Sequence, residues 1–139
     1  MAKVIYNNII PSSGYQAMTI LPFIFARKRF DPLADHTLYH ERIHLRQQLE
    51  VLVTLFGVMS GLCLTLISWW WMILVPFGYY ILYITEYLVR GIMYNDNKEG
   101  YRNISFEQEA FMNERDFEYL KRRRPFAWIK YLTKKTYRR

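Results

Sequence analysis

Two imidazoles four residues apart, with a carboxylate beside the first, are the part of this chain best equipped for chemistry: His40-Glu41-Arg42-Ile43-His44, an H-E-x-x-H pattern. On a helix, residues four apart share a face, so both imidazoles can bind one Zn²⁺. The intervening Glu41 then points at the reacting water rather than at the metal, as a general base does. A water-activating zinc site has three protein ligands and one open position, so a third donor must come from another segment. Cys63, the single cysteine, is about five helical turns past His44 and lies inside an apolar run. His36 continues the stripe, but it is about 12 Å from His44 along a helix axis, too far to share an ion. It reads as a helix-start residue or a partner of the ligands. The best remaining source is Phe106-Glu107-Gln108-Glu109-Ala110-Phe111-Met112-Asn113. Within it Glu109, with Asn113 as neighbour, lies nearer the apolar face of Phe106, Ala110 and Phe117 and is placed first, with Glu107 almost level. Gln47, Gln48 and Glu50 either orient the histidines or line the mouth of the apolar segment.

These residues need elements to hold them. Between Glu50 and Glu86 lie 35 residues without a formal charge. That is too long for one membrane crossing of about 20 residues and fits a two-helix hairpin, Val51 to Ile67 and Met72 to Val89. Ser68-Trp69-Trp70-Trp71 suits the turn at the far interface, and Pro76 and Gly78 predict a kink in the second span. Glu86 is costly in such a segment and is expected to pair with Arg90, one helical turn on. Asp31-Pro32 or Asp35 can cap the helix that carries the motif, and Ser105 can cap a helix from Phe106 to about Lys121. Before the motif, Val4-Ile5-Tyr6, Ile9-Ile10 and Tyr15 to Phe25 read as strands around the turn Pro11-Ser12-Ser13-Gly14, with Pro22 marking an edge. The expected fold is therefore mainly α: a membrane helical hairpin between two cytoplasmic-side helices that carry the metal site, with a small N-terminal β-hairpin. As one domain over 1–139, it divides into the β-hairpin and edge strand (1–30), the motif helix (32–50), the apolar hairpin (51–89), the second site helix (104–122) and a basic aromatic tail (123–139).

Composition narrows the class. The 139 residues are 52% hydrophobic and 18% aromatic, with 12 Tyr, 9 Phe and 4 Trp, which excludes disorder. One cysteine excludes a disulfide scaffold and a cysteine-based zinc cluster. With 19 Lys and Arg against 12 Asp and Glu, the net charge is +7. That charge flanks the apolar segment on both sides, which places both termini in the cytoplasm by the positive-inside rule and suits anionic lipid better than nucleic acid. Arg42 and Arg46, the run Lys121 to Arg124 and the tail Lys134 to Arg139 read as lipid-facing charge. No secretory signal is expected, because Lys3 is followed by no sustained apolar core.

The motif with its extension His44-x-x-Gln47-Gln48, followed by an E-x-x-A pattern at Glu107 to Ala110, resembles the gluzincin metallopeptidases. The intervening membrane hairpin is similar to that of the integral-membrane CAAX prenyl protease and heat-shock membrane protease group, and the motif to small bacterial zincin-like families of unknown substrate. The resemblance implies zinc held by His40, His44 and a downstream glutamate, with Glu41 as general base. Alignment to E-x-x-A makes that glutamate Glu107, against the burial argument for Glu109. Membrane gluzincins carry an acidic residue four past this ligand, where this chain has Phe111. The resulting expectation is an integral zinc metallopeptidase of a bacterial inner membrane, cutting peptide bonds near the cytoplasmic face, with lipid and a peptide or protein substrate as partners and Tyr15 to Phe25 as an edge for an extended peptide. The alternatives are a metal-binding domain or hydrolase of another bond, and a non-enzymatic membrane protein anchored by its basic tail.

Overall fold

The longest element is a single helix, α1 (Asp35–Thr65), that runs unbroken from the H-E-x-x-H residues into the apolar segment. No proline falls within it, so nothing removes a backbone donor. Its N-cap is Ala34, without a side-chain cap, so neither Asp31 nor Asp35 plays the capping role expected. The computed structural model describes residues 3–133, so the tail Lys134 to Arg139 lies outside the described residues. After a turn at Leu66 to Ser68, a 3-10 helix (Trp69–Phe77) passes directly into α2 (Gly78–Tyr94). Pro76 to Gly78, the place expected to kink, is where the 3-10 helix gives way to the α-helix, and Pro76 can donate no hydrogen bond there.

Both α1 and the helical run Trp69–Tyr94 are long and apolar enough to cross a membrane, and only 17% of each apolar window is buried by the rest of the protein. Leu64, Trp70 and Ile92 are 74%, 85% and 82% exposed. Glu86 pairs with Arg90 at 2.6 Å as expected, and its carboxylate also accepts from the backbone N–H and the hydroxyl of Ser105.

α2 ends at Asn95 in the left-handed region, a common helix terminus for Asn. Asp96 caps α3 (Asn97–Arg102) by accepting from the amides of Lys98 and Glu99. A Cβ on Gly100 would lie 2.8 Å from Gly91 Cα, so α3 can approach α2 this closely only with glycine there. The expected helix over Phe106 to Lys121 is two pieces, α4 (Ser105–Asn113) and α5 (Tyr119–Arg122), and Ser105 is the first helical residue rather than the cap. Asn113 turns its side-chain amide back onto the Glu109 carbonyl, and Asp116 accepts from the amide of Glu118, both local bonds that compete with helix continuation. A 3-10 helix (Ala127–Tyr131) follows, and Arg90 donates to the carbonyls of Tyr131 and Leu132 at its end.

The N-terminal β-hairpin expected over 1–30 is formed by β2 (Ala17–Ile20) and β3 (Phe23–Arg27), and β1 (Val4–Asn7) extends it to a three-stranded sheet ordered β1, β3, β2. β1 pairs parallel with β3, and β2 pairs antiparallel with it. The Asn7 side chain accepts from the amides of Ile9 and Ile10, which turns the chain out of the sheet before a β1–β2 hairpin can form. Pro22 marks the break that divides Tyr15 to Phe25 into two strands, leaving β2 at an edge. Three small cores line up along α1: Ile24, Ala26 and Leu33 against Leu38 and Leu45; Tyr39 and Ile43 with Ala110 and Tyr119; Val51 with Tyr79, Ile104 and Phe106.

Candidate metal centre

Packing α4 against the first half of α1 buries a stripe of polar residues, His40, Glu41, His44, Gln47 and Gln48. The histidine Nε2 atoms lie 3.1 Å apart. Glu107 of α4 closes the group, with Oε2 3.3 Å from His40 Nε2 and Oε1 3.4 Å from His44 Nε2. These three residues could hold a metal ion. Three observations test the fit. Four-coordinate zinc with bonds of about 2.0–2.1 Å puts tetrahedral donors roughly 3.3 Å apart, and the three separations match that value. Glu107 Oε2 is buried and has no hydrogen-bond partner among the described residues. Each histidine has its other nitrogen occupied: His40 Nδ1 lies 3.0 Å from Glu114 Oε2, and His44 Nδ1 lies 2.8 Å from Gln47 Oε1. Both are acceptors, so both Nδ1 atoms hold a proton, and the two Nε2 atoms facing Glu107 are the positions left for a metal.

Glu41 lies outside this set of three. The hydroxyl of Thr19, on β2, donates to Glu41 Oε2 at 2.5 Å, which fixes the carboxylate beside the histidines. All of them open into a cavity of about 380 Å³ walled by Ala17 to Thr19, Gln48 and six tyrosines. Tyr83 donates to Glu107 Oε1 at 2.7 Å, and burial with the nearby Glu107 charge raises the Tyr101 phenol far above its ordinary value, so it stays a donor.

Glu109, placed first on sequence grounds, is buried elsewhere: it binds Gln47, Tyr119 and Arg123. The face argument fails because Phe117 is not on α4, which ends at Asn113. Asn113 keeps company with the Glu109 carbonyl and Tyr131, not with the histidines. His36 is exposed at the helix start and takes no part. Glu50 binds Arg123 rather than a histidine, and Gln48 binds the β2 backbone. Sequence reasoning missed Thr19, Glu114 and Arg123. Glu114 had a signal, standing seven residues, two turns, after Glu107. Comparison with family models, with curated proteins and with solved structures finds no match to this chain.

Without a metal the site is a proton trap. Burial alone would lower the pKa of His40, but the carboxylates of Glu107, Glu114 and Glu41 around it outweigh that and raise it from 6.5 to about 10. His44 moves up for similar reasons. Burial would raise Glu107, yet the two histidines hold it well below its ordinary 4.5. A raised histidine stabilises the fold fully below 6.5 and loses that contribution as pH climbs through about 10. A depressed glutamate contributes above 4.5 and loses it in acid. Chelator-treated protein is therefore expected to melt highest between these limits and progressively lower toward pH 10. A melting temperature flat from pH 6.5 to 10 would contradict the linkage.

Proposed function

We propose that this chain is a membrane-inserted zinc metallopeptidase. The observation that carries the reading is the convergence of His40 Nε2, His44 Nε2 and Glu107 at tetrahedral separations in a cavity that also holds a carboxylate outside the ligand set, Glu41. Two histidines and one carboxylate also suit non-haem iron, but a spare carboxylate poised beside the ligands is what hydrolysis at zinc requires. When bound, the metal supplies Lewis-acid polarisation of a carbonyl and a lowered water pKa. Glu41, its Oε2 held by Thr19, takes the proton of the reacting water on its other oxygen and returns it to the leaving nitrogen.

A peptide substrate is supported by the β2 edge. Arg27 N–H bonds Gln16 carbonyl, so Met18 and Ile20 turn their backbone groups toward β3, and Ala17, Thr19 and Leu21 turn theirs outward. The Gln48 amide donates to Thr19 carbonyl and accepts from Leu21 N–H, capping one end of that edge. The amides of Ala17 and Thr19 and the carbonyl of Ala17 are left, among the described residues, to pair with an extended chain beside the cavity. The described lining includes no Lys or Arg to hold a terminal carboxylate, which favours cutting inside a chain. The exposed apolar surface of α1 beyond Val51 and of Trp69–Tyr94 supports insertion as a hairpin, with the site and both basic flanks on one face, the cytoplasmic one by the positive-inside rule.

The test is metal content and proteolysis together. Detergent-purified protein is expected to carry about one zinc per chain and to cleave an unstructured protein such as casein. A zinc chelator should abolish cleavage and zinc should restore it. Bound metal without hydrolysis would favour the metal-binding domain, and no metal after zinc addition and dialysis would leave the lipid-anchored membrane protein.

A further inference from the structure

The run Lys121 to Arg124 contains one residue that does not face outward. The side chain of Arg123 is 2% exposed, although Lys121 and Arg122 beside it are open to solvent and pair with Glu118 and Asp116. Its guanidinium bridges two carboxylates from different helices. Nε and one terminal nitrogen bind both oxygens of Glu109 on α4, the latter at 3.1 Å, and the fork of terminal nitrogens binds Glu50 on α1, at 3.2 Å to Oε2. Burying three charges is expensive in desolvation, and an apolar replacement usually serves stability as well, so the arrangement calls for a reason beyond stability.

That reason lies one residue further in. Glu109, itself fully buried, is held with Oε2 3.1 Å from Nε2 of Gln47, which is also fully buried. The Gln47 amide nitrogen has a second acceptor on the same side, the Phe106 carbonyl at 3.0 Å. Two acceptors on one side admit only the NH₂ end of an amide, so Oε1 must face the other way. There it meets His44 Nδ1 at 2.8 Å and also accepts from the Tyr79 hydroxyl at 3.3 Å. An amide oxygen can only accept, so it holds a proton on Nδ1 and leaves Nε2, beside Glu107, as the nitrogen of His44 that a metal would take. If Gln47 were flipped, its NH₂ would face Nδ1 and favour the tautomer that cannot bind a metal through Nε2.

We propose that Arg123 and Glu109 are positioning residues for the metal centre: the ion pair fixes a carboxylate that fixes the Gln47 amide, which fixes His44 in its metal-binding tautomer. The inference rests on the metal reading above, though not on the reaction. His40 has its own carboxylate, Glu114, on Nδ1; His44 has a neutral amide in that place, and the relay is what gives the amide a direction.

The experiment compares zinc affinity, by competition with a chromogenic chelator, and the visible spectrum of the Co²⁺-loaded protein for wild type, Arg123→Met, Arg123→Lys and Glu109→Gln in detergent. Losing an outer partner of a metal-bound histidine weakens binding by about 10–100-fold. That loss is expected for Arg123→Met, with shifted Co²⁺ ligand-field bands and partial recovery in Arg123→Lys. A merely structural Arg123 would lower the melting temperature but leave the folded fraction with wild-type affinity and spectrum, and that result overturns the proposal. If Arg123→Met does not fold, Glu109→Gln decides in the same terms, because one uncharged amide oxygen replaces two carboxylate oxygens that together accept from Gln47, Tyr119 and two nitrogens of Arg123. Wild-type protein that takes up no metal overturns the metal reading itself, whereas wild-type binding with undiminished variants overturns only the relay.

Discussion

Glu41→Gln is expected to retain zinc within a few-fold of wild type and to lose peptide hydrolysis by about 10²–10⁴-fold, the contribution of a positioned general base. The separation of the two effects is the point. Glu41 is outside the group of three that could hold the ion, so the substitution removes a proton acceptor and no ligand. It is also nearly isosteric, and the Thr19 hydroxyl that donates to Oε2 can donate equally to an amide oxygen, so the β2 contact and the fold survive. Turnover of a quenched casein substrate, with metal measured on the same preparation, checks both halves. Full activity in the variant would remove Glu41 from the mechanism. Loss of metal along with activity would instead make Glu41 a ligand and undo the geometry on which the peptidase reading stands.

The parts of this site that were legible in the sequence are those fixed by local spacing. His40 and His44 share a face on any helix, and the apolar run announces two long helices whatever surrounds them. Glu86 and Arg90 pair because one turn separates them. What was not legible depends on where helices stop and which distant segments meet. Glu107 and Glu109 could not be separated while one helix was drawn through Phe117, since the apolar face then pointed to Glu109; the break at Asn113 removes Phe117 from that face. The acidic partner sought four residues past Glu107 is absent, and Phe111 in that place packs its ring 4.7 Å from the ring of His40. The acid arrives three residues later, as Glu114, just past the end of α4. Arg123 looked like its neighbours in a basic run because its burial is decided by Glu50, 73 residues away. The sheet is the same case: parallel pairing of Val4–Asn7 with Phe23–Arg27 is a long-range choice that no turn signal encodes.

One feature of α1 ties these parts together physically. Because the helix is continuous from Asp35 to Thr65, the buried polar face of His40 to Gln48 and the outward apolar face beyond Val51 are rigidly coupled. Helix α2 packs its tyrosines against the same cavity, Tyr79 and Tyr80 on one turn and Tyr83 and Tyr87 on the next two, and then continues to Arg90. The apolar hairpin is therefore a wall of the site, and a membrane around its outer surface would bear directly on the cavity.

Glu107→Gln is expected to lower zinc affinity by more than the 10–100-fold assigned to the relay residues, because it replaces an anionic donor rather than an outer partner. Two further consequences follow from the same contacts. Glu107 is the partner that keeps the His40 pKa near 10, so the variant loses much of that support and its histidines give up their protons at lower pH. The metal-free variant should then lack most of the stability decline between pH 6.5 and 10 that marks the wild type. Glu109→Gln leaves Glu107 in place, so its decline should persist even though its zinc affinity falls. Zinc titrations and melting curves on chelator-treated wild type and both variants separate the two glutamates by pH dependence as well as by the size of the zinc effect. If Glu109→Gln proved the more damaging to zinc binding and Glu107→Gln kept the wild-type pH dependence, the third ligand would be Glu109 and the packing of α4 against α1 would have to be rotated.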